Sequence, residues 1–252
     1  MPFHQVLLRF LGILAIAVAT GLVASGLALP WVGITGVAAH SGADAVDKFP
    51  ENLNIGQLSQ TTRILDSQGK LITTLYDQNR VYKPLSQISP IMVRALLATE
   101  DARFYQHGAM DLKGTLRALI TDQAGSSVQG GSSITQQLVK QTLLYNAKTD
   151  AQRKEATEET VQRKVRELRY AIALEEQHSK SWILERYLNT AYFGDSAYGV
   201  QAAAKHYFGV DAKSLTWPQA ALLAGMVKNP TGYDPTDNPD AAIARRATVF
   251  DR

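Results

Sequence analysis

The stretch 161-VQRKVRELRYAI-172 decides the fold class, because its apolar residues recur at helical spacing. Val161, Val165, Leu168 and Ile172 fall on one face of a helix, while charged residues cover the other face. The pattern predicts one long amphipathic helix, Glu155–His178. Such a helix must bury its apolar face against other elements, so the sequence predicts a mainly α protein.

Helical patterns occupy most of the chain after Ser89-Pro90, where Pro90 suits the first turn of a helix. Further helices are predicted at Leu112–Thr121, Ser133–Tyr145, Lys180–Asn189, Val200–Tyr207 and Pro218–Val227, with another beginning at Ala241. The segments 125-GSSVQGGSS-133 and 229-NPTGYDPTDNPD-240 are predicted loops. Before the helices, 63-RILDSQGKLITTLYDQNRVYKPL-85 alternates with a period of two around a turn, which predicts a short β-hairpin.

Composition and charge exclude several classes of protein. At 252 residues the chain is long enough for one sizeable domain with its own core. A net charge of +3 suits an anionic lipid surface or a phosphate-bearing substrate, but it is too small for the clustered basic surface that nucleic-acid binding needs. The absence of cysteine excludes disulfides, thiol nucleophiles and cysteine-bound metals, and the five histidines form no zinc-binding pair.

The N-terminal region predicts attachment to a membrane. Phe10 to Leu29 is a run of 20 residues without a charge, which is long enough to cross the hydrocarbon core as a helix. Arg9 precedes the run and no basic residue follows before Lys48, so the positive-inside rule keeps the N-terminus cytoplasmic and places the rest outside. The alternative is a cleaved signal peptide, because 43-ADA-45 resembles a cleavage site.

The segment 98-ATEDARFYQHGAMD-111 holds the first candidate catalytic residue, Glu100. This glutamate follows an apolar helical stretch and precedes two aromatic residues. A carboxylate that apolar neighbours partly shield takes up a proton more readily near neutral pH, as a general base must. Asp101 and His107 are close enough in sequence to orient it. The alternative is a solvated carboxylate at a helix end, without a chemical role.

The segment 163-RKVRE-167 holds the second candidate, Glu167, beside Arg163 and Lys164. A carboxylate flanked by two cations can hold a divalent metal ion next to a pyrophosphate, while the cations neutralise a leaving group. The alternative is an ordinary helix surface with i,i+4 salt bridges, which the charged residues from Arg153 to Glu159 also fit.

The segment 130-GGSSITQQLVK-140 predicts a surface that binds phosphate or sugar. Ser132 or Ser133 can cap the helix that follows, which would leave backbone N–H groups facing an anion. Gln136 and Gln137 point about 100° apart, and Lys140 follows Gln136 by one turn on the same face. A capped amphipathic helix explains the serine, but it does not explain two glutamines and a lysine.

Five motifs in order resemble the peptidoglycan glycosyltransferases, the family-51 transglycosylase domain of class A penicillin-binding proteins and monofunctional wall polymerases. The pattern Glu-Asp-x-x-Phe-x-x-His is met by Glu100, Asp101, Phe104 and His107, and Arg-Lys-x-x-Glu by Arg163, Lys164 and Glu167. Gly130–Gln137 is similar to Gly-x-Ser-Thr-Ile-Thr-Gln-Gln, with Ser133 in place of threonine. The other two motifs are 183-ILERYLNTAYFGDSAYGVQAAAKHYFG-209 and 222-LLAGMVKNPTGYDP-235 with Arg245 and Arg246.

The resemblance implies a lysozyme-like helical lobe with a smaller membrane-associated jaw. The full fold prediction is therefore mainly α, with one N-terminal transmembrane helix and a short β-hairpin. Residues 1–9 would be cytoplasmic, 10–30 a transmembrane signal anchor, 31–60 a juxtamembrane linker and 61–252 the glycosyltransferase domain. The protein would cross the plasma (inner) membrane once, with its catalytic domain extracytoplasmic. Because the chain ends soon after Ala241, we expect a longer parent protein.

The resemblance also implies the reaction. A glycan on undecaprenyl pyrophosphate is the donor, lipid II is the acceptor, and an inverting transfer forms a β-1,4 bond. Glu100 would deprotonate the GlcNAc 4-hydroxyl, and Glu167 would bind Mg²⁺ or Mn²⁺ at the pyrophosphate. The implied substrate-binding residues are Asp101, Phe104, His107, Ser132, Ser133, Gln136, Gln137, Lys140, Arg163 and Lys164. Other cell-wall synthesis proteins are candidate partners, and nucleic acid is not expected.

Two other functions remain open from the sequence. A muramidase or lytic transglycosylase breaks the same bond with a similar lobe, but it has no need for Lys140, Arg163 and Lys164 around a phosphate. An inactive membrane-anchored scaffold that binds the cell wall is the non-enzymatic alternative. The two glutamates, Glu100 and Glu167, count against the scaffold.

Overall fold

The computed structural model describes residues 53, 55, 56, 58–76, 78–109, 111–113, 115, 116 and 132–251. All of them belong to one compact unit, Pro50–Arg252. The predicted cytoplasmic segment, the transmembrane segment, most of the linker and residues 125–131 of the Gly/Ser loop lie outside the described residues. No helix in the described ranges is both long and apolar enough to cross a bilayer.

A small antiparallel hairpin precedes the helices, as predicted. Strand β1 (Thr62–Leu65) pairs with β2 (Leu71–Leu75). In the turn between them, Asp66 Oδ1 accepts hydrogen bonds from the backbone N–H groups two and four residues later, at 2.9 and 2.8 Å. Gly69 takes a φ of 81°, in the left-handed region that favours glycine. Because most side chains of both strands are exposed, turn chemistry rather than burial defines this hairpin.

The helices that follow confirm a mainly α fold. They are α1 (Pro90–Glu100), α2 (Ile134–Asn146), α3 (Asp150–Thr157), α4 (Val161–Gln177), α5 (Lys180–Thr190), α6 (Val200–Phe208), α7 (Trp217–Met226) and α8 (Pro239–Phe250). Residues 109, 111–113, 115 and 116 are also helical, within or beside the predicted helix Leu112–Thr121. Short 3₁₀ helices lie at Leu85–Gln87 and Ala212–Ser214.

The prediction of one helix over Glu155–His178 is wrong, because α3 and α4 are separate. Thr160 interrupts the helical path with an extended backbone, and its side chain accepts a hydrogen bond from the Arg163 N–H at 3.1 Å. A threonine that caps one helix in this way stops the helix before it. Val161 is 60% exposed at the start of α4, whereas Leu168 and Ile172 are buried as predicted.

The core forms where the helices pack in two groups. Helix α1 packs on α7 and α7 on α8, while α2 packs on both α4 and α5. In α2, Ile134, Leu138 and Val139 are fully buried. Burial of each such side chain is worth about 1.5–3 kcal/mol, so α2 has a fixed position in the domain. Its N-terminal end meets the C-terminal end of α1, where the predicted site residues lie.

The segment before α1 is held to α5 by polar contacts from residues of the motif 183–209. Asn189 Oδ1 accepts a hydrogen bond from the Lys83 N–H at 2.8 Å, and Asn189 Nδ2 donates to the Lys83 carbonyl at 2.8 Å. Glu185 Oε2 accepts from the Leu85 N–H at 2.7 Å. These two motif residues therefore have a structural role, since they fasten an extended segment for which the described residues show one β-bridge, at Asn79.

Arg80 completes this attachment from a buried position. It is 1% exposed, and it donates from Nε to the Asn189 carbonyl at 3.0 Å and from Nη1 to the Ser59 carbonyl at 2.9 Å. Its guanidinium lies 5.3 and 5.4 Å from the ring centroids of Tyr145 and Tyr198. Burial lowers the pKa of Arg80, and the two aromatic faces offset part of the cost of removing its charge from water.

We expect Arg80→Ala to lower the free energy of unfolding by about 3 kcal/mol, because it leaves a cavity and two carbonyls without a donor. Urea unfolding followed by circular dichroism measures this loss. Arg63→Ala, at an exposed position of β1, is the control and should change the stability by less than about 0.5 kcal/mol. Equal losses in the two variants would show that the Arg80 contacts add no net stability.

Candidate active site

Glu100 ends α1 with a half-buried side chain. Its Oε2 accepts a hydrogen bond from Gln137 Nε2 at 3.0 Å, which joins the end of α1 to the first turns of α2. The sequence assigned the orientation of Glu100 to Asp101 and His107. Among the described contacts neither residue bonds to Glu100, and Gln137 takes that place.

Asp101 and His107 pair with each other. His107 Nε2 lies 2.8 and 2.9 Å from the two carboxylate oxygens of Asp101. Asp101 Oδ2 also accepts from the Ile134 N–H, the first residue of α2, at 3.2 Å. A carboxylate at the positive end of a helix dipole is stabilised there. Asp101 therefore fixes both the start of α2 and the loop of His107 beside Glu100.

A chain of polar contacts continues from His107 into the protein. Lys180 Nζ lies 3.4 Å from His107 Nδ1 and 2.7 Å from Glu175 Oε1. Glu175 has a side chain only 3% exposed, and it also accepts from Thr135 Oγ1 at 2.5 Å. Asp101 and Lys180 therefore approach different ring nitrogens of His107. The imidazole is held from both sides.

The prediction that Phe104 binds substrate is wrong. Its side chain is 1% exposed and belongs to the hydrophobic core. The ring stands edge-on to His107 with the centroids 6.0 Å apart, and Lys180 Nζ lies 4.4 Å from its centroid. Phe104 therefore supports the His107 loop from behind and cannot touch a molecule in the cleft.

The start of α2 is capped by its own side chains. Ser133 Oγ accepts from the Gln136 N–H at 3.2 Å, and Gln136 Oε1 accepts from the Ser133 N–H at 3.3 Å, which together make a capping box. Asp101 Oδ2 accepts the hydrogen bond of the Ile134 N–H. The expectation of free N–H groups facing an anion is therefore wrong for positions 134 and 136, where protein acceptors already occupy them.

Arg163 and Lys164 surround Glu167 on α4, and these three residues are called the cation cluster. Glu167 is 2% exposed, and its Oε1 accepts from Arg163 Nη1 while its Oε2 lies 3.8 Å from Lys164 Nζ. Lys164 Nζ also donates to Ser132 Oγ at 2.8 Å and to Gln136 Oε1 at 3.3 Å. Lys164 therefore links the cluster to the start of α2.

The cation cluster keeps a positive charge at its exposed edge. Burial lowers the pKa of Lys164, the charge of Glu167 opposes that shift, and the charges of Arg163 and Lys140 add to it. Lys140 is exposed on α2, one turn after Gln136. Three cations near one carboxylate leave an excess of positive charge, which favours an anion such as a diphosphate.

Glu100 and Lys164 line the same cleft, which has a volume of about 350 Å³. Its lining residues are Glu100, Asp101, Arg103, Gln106, His107, Asp111, Leu112, Thr115, Ser133, Gln136 and Lys164. Glu167 lies behind Lys164 and is not among them. The structure thus brings a carboxylate and a cation together at one open surface, while the second glutamate acts on the cations and does not face the cleft.

The predicted divalent metal ion would meet a single carboxylate at Glu167. Mg²⁺ is usually held by one or two carboxylates together with waters and substrate phosphates. Glu167 offers a single buried carboxylate, and Arg163 already occupies one of its oxygens. Within the described ranges, no group of three or more His, Cys, Asp or Glu side chains could hold a metal. The binding of Mg²⁺ or Mn²⁺ by Glu167 stays a prediction.

Three residues near the site were not predicted as part of it, namely Glu175, Lys180 and Tyr187. Lys180 and Tyr187 lie seven positions apart on α5, which places them on the same helix face two turns apart. That spacing was visible in the sequence, but nothing in it identified His107 and Gln137 as their partners. Tyr187 is fully buried, and its hydroxyl donates to Gln137 Oε1 at 2.7 Å.

Comparison with known proteins identifies the family of this chain. The protein family described as Transglycosylase matches residues 68–252, so the chain belongs to that family. The resemblance to the transglycosylase domain of penicillin-binding proteins is confirmed.

Several curated relatives are penicillin-binding proteins. Penicillin-binding protein 1A/1B of Bacillus subtilis is 43% identical over 75% of this chain and 20% of its own length. Penicillin-binding protein 2D of Bacillus subtilis is 40% identical over 84% of this chain and 28% of its own length. Penicillin-binding protein 1A of Escherichia coli is 40% identical over 75% of this chain and 21% of its own length. The chain therefore spans less than a third of the length of these relatives.

Proposed function

We propose that this domain polymerises glycan strands from lipid-linked precursors. The donor is a glycan on undecaprenyl pyrophosphate and the acceptor is lipid II. The observation that carries the proposal is that Glu100 and Lys164 line one cleft, so a proton acceptor and a cation reach the same bound molecule. Membership of the transglycosylase family supports the same reading.

Glu100 would take the proton from the 4-hydroxyl of the acceptor GlcNAc. The oxygen then attacks C1 of the donor MurNAc, and the bond from C1 to the diphosphate oxygen breaks. Gln137 holds the Glu100 carboxylate through its 3.0 Å hydrogen bond, so one oxygen is fixed and the other is open to the acceptor. A base held in place before the substrate arrives needs no reorganisation at the moment of reaction.

The cation cluster would stabilise the leaving undecaprenyl diphosphate as its negative charge develops. Lys164 reaches the cleft directly, and Lys140 adds charge at the exposed edge. Arg163 and Glu167 act from behind, since their ion pair holds the helix face that presents Lys164. Charge-assisted hydrogen bonds to phosphate are about twice as strong as neutral ones, which makes this arrangement effective for a diphosphate.

Direct displacement inverts the configuration at C1 and gives the β-1,4 bond. Inversion needs a base on one face of the sugar and stabilisation of the leaving group on the other, as in inverting glycosidases, where two carboxyl groups stand apart. In the proposed reaction, Glu100 and the cation cluster would take those two places. A hydrolase would need an acid for a sugar leaving group instead.

The wider setting of the domain is part of the same proposal. A lysozyme-like lobe with a membrane-associated jaw would bring the cleft to lipid-linked substrates. The apolar run Phe10–Leu29 would hold the domain at the outer face of the plasma membrane, and other cell-wall synthesis proteins would be its partners. The exposed apolar side chains of the hairpin, such as Ile72 and Leu75, are consistent with a location near a lipid surface.

The direct test is incubation of the purified protein with labelled lipid II, with the products resolved by gel electrophoresis. We expect long glycan strands that a muramidase digests. Cleavage of preformed glycan without polymer formation would support a wall hydrolase instead. Binding of glycan with neither activity would support the scaffold.

The need for a divalent cation stays a prediction, and none of the steps above passes through a metal. The metal would supply additional charge at the diphosphate. The same lipid II reaction with EDTA tests it. If EDTA stops polymer formation and added Mg²⁺ or Mn²⁺ restores it, a bound cation is supported. Full activity in EDTA would show that no such cation is needed.

A further inference from the structure

Tyr187 is a buried residue whose hydroxyl contacts Gln137, the residue that donates a hydrogen bond to Glu100. It lies on α5 with 0% exposure, and its hydroxyl donates to Gln137 Oε1 at 2.7 Å. Gln137 Nε2 in turn donates to Glu100 Oε2 at 3.0 Å. A continuous chain of hydrogen bonds therefore runs from the core to the carboxylate in the cleft.

We propose that Tyr187 is a positioning residue, which holds the Gln137 amide in the orientation that supports Glu100. The proposal rests on the function proposed above, because it assigns a residue to the proton-transfer step of that reaction. Tyr187 lies within the motif 183–209, which the sequence analysis did not connect to the site, and it does not line the cleft.

The hydrogen bonds of the Gln137 amide are all satisfied by groups of fixed type. Its nitrogen donates to Glu100 Oε2 and to the Ser132 carbonyl at 3.2 Å, and both of these partners only accept. Its oxygen accepts from Tyr187. The amide therefore has one orientation in which every contact is a donor–acceptor pair, and Tyr187 supplies the only donor among those contacts.

The hydroxyl of Tyr187 keeps its proton under working conditions. Burial, followed by the negative charge of Glu100, raises its pKa well above the ordinary value for tyrosine. The hydroxyl thus remains a donor to the Gln137 oxygen. Buried donors also need an acceptor, so Tyr187 and Gln137 hold each other in place.

Loss of this hydroxyl would act on the chemical step and leave substrate binding alone. Without the Tyr187 hydroxyl the Gln137 oxygen loses its donor, so the amide is free to adopt other conformations. Glu100 then loses its fixed donor and spends less time aimed at the acceptor hydroxyl. Because the cleft lining and the cation cluster do not change, ground-state binding should be kept.

The test compares Tyr187→Phe with Tyr145→Phe in the lipid II polymerisation reaction. Tyr145 is a matched control, because its hydroxyl donates one hydrogen bond, to the Thr190 carbonyl at 2.9 Å, and contacts neither Gln137 nor Glu100. We expect Tyr187→Phe to lower kcat about tenfold with KM within about twofold of wild type, and Tyr145→Phe to leave both within about twofold. Thermal unfolding checks that both variants are folded.

A double-mutant cycle with Gln137→Met separates positioning from stability. If Tyr187 acts through Gln137, Tyr187→Phe should change kcat by less than about twofold in the Gln137→Met background. The same tenfold loss in both backgrounds, or an unchanged kcat in the folded single variant, would overturn the proposal. A wild-type protein that makes no polymer would instead show that the proposed function itself has failed, before any variant is compared.

Discussion

Replacing Glu100 with glutamine is expected to lower the rate of glycan polymerisation about a thousandfold. Glutamine has nearly the same shape as glutamate, but it cannot take a proton from the acceptor hydroxyl. The amide still fits the cleft, so the affinity for lipid II should remain close to that of wild type. Initial rates with labelled lipid II, together with equilibrium binding to the same substrate, measure the two effects separately.

Glu176→Gln is the matched control for this loss. Glu176 has a side chain 49% exposed and pairs with Lys113 outside the cleft. This variant should polymerise within about twofold of wild type. If Glu100→Gln polymerises as fast as Glu176→Gln, Glu100 is not the base and the assignment of the cleft must be abandoned.

The second large effect is expected for Lys164→Met. Lys164 is the member of the cation cluster that lines the cleft, and its Nζ also donates to Ser132 and Gln136. Removing one donor that stabilises charge in a transition state costs about a hundredfold in rate. Methionine keeps most of the apolar stem, so the loss should appear chiefly as a lower kcat in steady-state polymerisation.

Lys213→Met is the control, because Lys213 is exposed on the 3₁₀ helix Ala212–Ser214 and lies outside the cleft. Its rate should match that of wild type. A Lys164→Met variant with the rate of Lys213→Met would exclude Lys164 from the site of the leaving group.

The protonation of Lys164 should also shape the pH dependence of the reaction. Burial lowers its pKa, so Lys164 loses its proton, and its charge, at a lower pH than an exposed lysine does. Wild-type activity should therefore fall earlier on the alkaline side than it does for Lys164→Arg, whose guanidinium stays charged. The ratio of the two rates across an alkaline pH series measures this difference.

The sequence predicted the elements that depend on local signals. The hairpin follows from the turn at Asp66, and the start of α1 from Ser89-Pro90, because these residues act through their own backbone. The separation of α3 from α4 escaped prediction, since Thr160 is as compatible with a helix as with a cap until the surrounding packing chooses. A single residue decided that boundary.

The candidate site was predictable as a set of residues but not as a set of partners. The motifs named Glu100, Gln137 and Lys164, and the structure places all three around the start of α2. The hydrogen-bond partner of each side chain depends on contacts between helices that lie far apart in the sequence. Tyr187, 50 residues after Gln137, meets it only because α5 packs on α2.

The same limit explains the two predictions about anion binding and Phe104 that were wrong. A serine before a helix indicates a cap, but it cannot show that Asp101, 33 residues earlier, occupies the Ile134 N–H. An aromatic residue close in sequence to a candidate glutamate fits either a surface that binds sugar or the hydrophobic core. Phe104 is buried and contacts Lys180, which shows that it belongs to the core. Burial of this kind depends on tertiary packing.

The most direct measurement is a crystal structure of the Glu100→Gln variant with a lipid II analogue that carries a shortened prenyl chain. We predict that a GlcNAc 4-hydroxyl lies within hydrogen-bond distance of the side chain at position 100. We also predict that the diphosphate oxygens of a donor lie within hydrogen-bond distance of Lys164 in the same cleft. A diphosphate bound away from the cation cluster, or a sugar hydroxyl that does not approach position 100, would contradict the proposed mechanism.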